Sequence, residues 1–62
     1  MCEAKVVVVE GGEEKVVIEE VVSLSLGGGE LAVRDFHGRE YRVKGVKELR
    51  IDFLRHTVWV LR

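Results

Sequence analysis

Proline is absent from this chain of 62 residues, cysteine occurs once, and aromatic residues make up only 6% of it. One thiol cannot form an intrachain disulfide, so a secreted disulfide scaffold is excluded. Trp59 and Tyr41 are too few and too scattered to build a stacking platform for single-stranded nucleic acid. The valine run from Val6 to Val9 is far too short to span a bilayer or act as a signal-peptide core, and no basic segment precedes it. A cytoplasmic protein with no membrane partner is expected. No stretch carries a helical period of useful length. At 47% hydrophobic, 34% charged and a net charge of −1, the chain is neither disordered nor a bulk binder of polyanions.

What is present is a succession of short period-two segments punctuated by glycine. Strands are expected from Cys2 to Val9, then over Lys15–Glu19 and over Val22–Leu26, the last with Val22, Leu24 and Leu26 on one face and Ser23 and Ser25 on the other. Further strands are expected over Leu31–Phe36 with Leu31 and Val33 inward, over Arg39–Val43 with Tyr41 and Val43 inward, around Leu49–Phe53, and over Thr57–Leu61. Glu10-Gly11-Gly12-Glu13, Gly27-Gly28-Gly29 and His37-Gly38 supply the turns, because glycine tolerates positive φ. Six to seven short antiparallel strands predict one all-β domain over residues 1–62, closed as a small SH3-like barrel. A domain of this size buries only about 60% of its unfolded surface, so its stability is marginal without help.

Near-neutrality conceals a polarity. Residues 1–31 hold two lysines against seven glutamates, net −5, whereas residues 32–62 hold eight basic against four acidic residues, net +4. The two halves could complement one another within one barrel or across a dimer. The simpler reading is a small β domain whose alternate residues face water.

Few residues offer chemistry. The triple glycine lacks the lysine and helix of a phosphate loop and reads as a hairpin. Glu13-Glu14 and Glu19-Glu20 are neighbours along extended segments, so their carboxylates point to opposite faces and cannot share a proton. His37 and His56 lie in expected turns remote in sequence from Cys2, and solvated turns are the plain reading of both. No base is placed beside Cys2, so no nucleophilic constellation is visible and a non-enzyme is expected.

Cys2 itself is the one residue that suggests a metal. With Met1 removed, its amine and thiolate could close a five-membered chelate ring; with Met1 retained, the Met1 amine, the Cys2 amide nitrogen and the thiolate could form two fused rings. A nitrogen and thiolate donor set favours Ni(II) or Cu(II) over Zn(II), which prefers four side-chain ligands. Met1, Cys2 and Glu3 are the candidate metal-binding residues, with Ni(II) preferred to Cu(II) or Zn(II). The alternative is a small, chemically idle hydrophobe. One chain supplies two or three donors, so a square plane is filled most simply by two Cys2 residues across a two-fold axis, which predicts a homodimer. The valines of the first strand are the expected contributors to it. On the expected alternation Trp59 lies opposite Val58 and Val60, and an outward Trp would suggest a subunit contact.

The opening Met1-Cys2-Glu3-Ala4-Lys5-Val6-Val7, the Gly-Gly turn, Val16-Val17-Ile18-Glu19-Glu20-Val21 and the closing Val46-Lys47-Glu48-Leu49-Arg50-Ile51-Asp52 resemble the CooT family of small nickel-binding proteins. The resemblance covers almost the whole chain. It implies a small β-barrel homodimer with Cys2 at the nickel site, and a role in supplying nickel to carbon monoxide dehydrogenase in some members. The family has also carried the label of predicted RNA-binding protein, which here would use Arg34, Arg39, Arg42, Lys44, Lys47 and Arg50 against phosphates. A more distant likeness to the HypC hydrogenase-maturation chaperones, which follow their Met-Cys closely with proline, is opposed by the lack of proline.

Overall fold

A computed structural model describes residues 3–62. Among them there are six strands and no helix: β1 (Ala4–Glu10), β2 (Glu13–Gly27), β3 (Glu30–Asp35), β4 (Glu40–Val43), β5 (Glu48–Asp52) and β6 (Thr57–Leu61). They form one sheet in the order β4-β3-β2-β1-β6-β5. The glycine turns behave as expected. Gly11 and Gly12, at φ 61° and 80°, form the two-residue loop that closes Glu10 onto Glu13, and left-handed residues at both positions match the twist of the strands they join.

The longest strand, β2, absorbs two of the expected segments into 15 residues. Its first half pairs with β1 and its second with β3. Between them the strand bends. Glu20 adopts a φ of 58°, unusual for a residue with a Cβ, and β2 gains an extra residue there, since Val6 of β1 pairs with Ile18 but Ala4 with Val21; a second shift, against β3, falls between Val21 and Ser23. An extra residue in one strand reverses the alternation beyond it. Val21 therefore turns into the core and Val22 out of it, which corrects the placing of Val22 on one face with Leu24 and Leu26.

Two features depart from a closed antiparallel barrel. First, β1 and β6 run parallel, from Lys5 opposite Thr57 to Val9 opposite Leu61. Second, the sheet is not closed, because β4 and β5 are its two edges and do not pair with each other. The chain passes from one edge to the other between Val43 and Glu48, a span of at most about 18 Å when extended. That tether, fastened where the Val46 N–H donates to the Gly29 carbonyl at 2.9 Å, curls the sheet without bringing its edges to the roughly 4.8 Å that a ladder requires.

The concave side of the curl holds the core. Val6, Val8, Ile18, Val21, Leu31, Val33, Val43, Val58 and Val60 are buried there, as the inward placing of Leu31, Val33 and Val43 anticipates. Val7 points to the other face of β1 and is buried as well, lying between Val17 of β2 and Trp59 of β6 in the register. The central strand is thus covered on both faces within a single copy. Its valines at 6–8 have no apolar surface left for a partner, contrary to the expectation that they form the dimer contact.

Candidate functional site

Ala4 opens β1 and lies next in sequence to the candidate metal-binding residues. Met1 and Cys2 lie outside the described residues; Glu3 is exposed. On one side Ala4 pairs with Val21, immediately after the bend in β2. On the other the Lys5 N–H donates to the His56 carbonyl at 2.8 Å, which joins the start of β1 to the β5–β6 turn. Parallel pairing thus brings His56, fifty-odd positions away in sequence, beside the first strand. The backbone of His56 is itself left-handed, with φ 51°, a conformation that surrounding structure must hold in place.

The bend in β2 also gathers polar groups at this end of the sheet. The Phe36 N–H donates to the Glu20 carbonyl at 2.7 Å, and His37 Nε2 lies 3.2 Å from Glu20 Oε1. Both side chains of that pair are more than half exposed, so it adds little stability. Behind them Asp35 is buried and organises the β3–β4 turn. Its Oδ1 accepts from the His37 and Arg39 N–H groups, each at 2.9 Å, and its Oδ2 accepts from the Tyr41 hydroxyl at 3.0 Å. Burial pushes the Asp35 carboxyl upward, but the Arg39 N–H, the Tyr41 hydroxyl, the His37 N–H and the Arg39 charge together outweigh it and hold the group below its ordinary value.

The structure does not gather these groups into a metal cluster. Among the described residues no three of His, Cys, Asp and Glu come together as a ligand set. His37 engages Glu20, while His56 lines an apolar groove with Ala4, Leu24, Ile51, Phe53 and Val58.

The basic residues proposed to meet phosphates are partly engaged elsewhere. Arg42 lies 3.4 Å from Glu40 and 3.9 Å from Glu30, and Arg50 Nε lies 2.7 Å from Glu48. Arg34 Nη1 donates to the Gly38 carbonyl at 3.4 Å. Carboxylates interleave with the cations and blunt the field that phosphates would meet. Trp59 does lie opposite buried Val58 and Val60, half-buried beside Val9, Leu61 and Arg50.

The family model described as CO dehydrogenase accessory protein CooT matches residues 1–61. The chain belongs to the CooT family. No curated protein matches it. CooT proteins are thus accessory to CO dehydrogenase, and the match includes Met1 and Cys2 as well as all six strands. No helix among the described residues is long and apolar enough to cross a membrane.

Proposed function

We propose that this CooT protein binds Ni(II) as cargo for a carbon monoxide dehydrogenase and has no catalytic activity of its own. The observation that carries the reading is the family match over residues 1–61, which includes the single cysteine. Cys2 supplies a thiolate, the backbone nitrogens of Met1 and Cys2 supply further donors, and Glu3 stands next to them at an exposed position. Such nitrogen and sulfur donors suit Ni(II) better than Zn(II). One copy supplies too few donors for four-coordination, so the complete site takes a Cys2 from each subunit of a homodimer. A cytoplasmic setting, where a free thiol stays reduced, accords with this use of cysteine.

The sheet contributes an anchor. Residue 4 is tied on one side to Val21 and residue 5 on the other to His56 and Thr57, so the strand that follows the proposed donors in sequence starts as a central strand rather than as a frayed edge. Titration with Ni(II) tests the reading. A thiolate-to-metal charge-transfer band should grow to saturation near one metal per dimer and vanish in Cys2→Ser; a band that survives that substitution refutes it.

A further inference from the structure

The β5–β6 turn carries two large apolar side chains in water. Phe53 is 80% exposed and Leu54 94% exposed. This is not a loose loop, because Asp52 Oδ1 accepts from the N–H groups of both Leu54 and Arg55 at 3.0 Å and fixes the turn. Immediately beside it the open side of the sheet leaves a groove of about 400 Å³, walled by Ala4, Leu24, Ile51 and Val58 with Phe53 at its rim. A projecting apolar knob and an apolar hollow therefore occupy one patch.

We propose that this groove receives Phe53 and Leu54 from a second copy of the chain, each turn seating in the groove of the other. The inference rests on the homodimer reading given above and specifies where that dimer is joined. An isologous two-fold contact requires one surface to be complementary to itself, and a knob adjacent to a matching hollow meets that requirement where a flat apolar face does not. Area supports it. On a scale of roughly 150–250 Å² for an aromatic side chain, the uncovered parts of Phe53, Leu54 and half-exposed Ile51 come to about 350–400 Å² per copy before the groove walls are added. A stable interface buries about 800 Å² per partner, so this patch supplies near half of it as an apolar centre, the part that carries most of the binding energy. Ala4 lines the same groove, so a dimer joined here carries the two amino-terminal strands toward the symmetry axis, where two thiolates are needed.

Sedimentation velocity at micromolar protein, with and without Ni(II), tests this on the wild type, on Phe53→Ser with Leu54→Ser, and on Val17→Ser, which alters the half-exposed opposite face of the sheet. The wild type and Val17→Ser should be dimers, while the double variant should dissociate with a dissociation constant raised at least about a hundredfold, an effect of about 2.8 kcal/mol. Circular dichroism should show the same β signal in all three; should the double variant unfold, Leu54→Ser alone, at the most exposed position, carries the comparison with a rise of at least about tenfold. A double variant as dimeric as the wild type overturns this interface and leaves the homodimer reading standing. A wild type that stays monomeric with saturating Ni(II) overturns both.

Discussion

Leu26 and Leu31 face each other directly across the β2–β3 ladder, yet Leu31 is 1% exposed and Leu26 52% exposed. Cross-strand partners share a face, so a closed barrel would cover both alike. The open sheet leaves Leu26 at its rim. The same substitution at the two positions therefore separates the architectures. Leu31→Ala removes buried methyl groups from a packed core and should cost about 2–5 kcal/mol, transfer and cavity contributions together. Leu26→Ala loses only the buried half of a side chain whose full burial stabilises by about 1.5–3 kcal/mol, hence about 1 kcal/mol. For 62 residues the whole stability is about 3–9 kcal/mol, so Leu31→Ala comes near to unfolding the domain. At about 4–8 °C per kcal/mol, its melting temperature should fall by about 10–20 °C or more, against about 4–8 °C for Leu26→Ala. Urea and thermal melts at one fixed protein concentration provide the comparison. Equal losses would refute the open sheet, since they would mean that Leu26 is as covered as its partner.

Asp35 is held ionised below the ordinary carboxylate value, so its contribution to stability is present above the unfolded value of about 3.9 and is lost as pH falls through the native one. Asp35→Asn should lower the urea midpoint at pH 7 and show a smaller further drop between pH 5 and 3 than the wild type. Nickel affinity should rise with pH across the range in which a thiol and an amine deprotonate, about 8.5 and 7.7–8.0 when unperturbed; calorimetry at several pH values showing a flat profile would point to carboxylate ligands instead. Electrophoretic shifts with RNA should show no tight complex at physiological salt, given the carboxylates set against Arg42 and Arg50. Nanomolar retention lost in Arg39→Ala with Arg42→Ala, but not in Cys2→Ser, would favour the RNA-binding reading.

Local chemistry made most of the strands and turns legible. Paired glycines at 11–12 and 28–29 adopt the positive φ that their hairpins need, and alternation places Leu31, Val33 and Val43 in the core. What escaped was non-local or rested on one backbone angle. The bend at Glu20 joins two segments into one strand and sends Val22 outward, and nothing in Glu19-Glu20-Val21 distinguishes a left-handed glutamate from an extended one. The parallel β1–β6 pair did leave a trace. Val6 to Val9 and Val58 to Leu61 are continuous apolar runs rather than alternating ones, the pattern of strands buried on both faces and common in parallel pairs. That signal was open to a second interpretation, apolar side chains offered to a partner, and only the pairing decides between them. Of the candidate site, Cys2 is proposed from its position and the family likeness alone, and the approach of His56 to β1 was not legible, because it follows from pairing the first strand with the last.

That pairing also connects the fold to the proposed chemistry. Were β1 an edge strand, its start would be held by one ladder only and prone to fray. Placed between β2 and β6, the start of the strand is held by ladders on both sides. A parallel neighbour has a further consequence, since the start of β1 then meets the start of β6 and therefore the turn that precedes it. An antiparallel closure would have set the end of β6 there and carried Phe53, Leu54 and His56 to the opposite end of the molecule. The direction of one strand thus determines that the exposed Phe53 and Leu54 share an end of the sheet with the start of β1, so that association through that turn, as proposed, would bring the two first strands together.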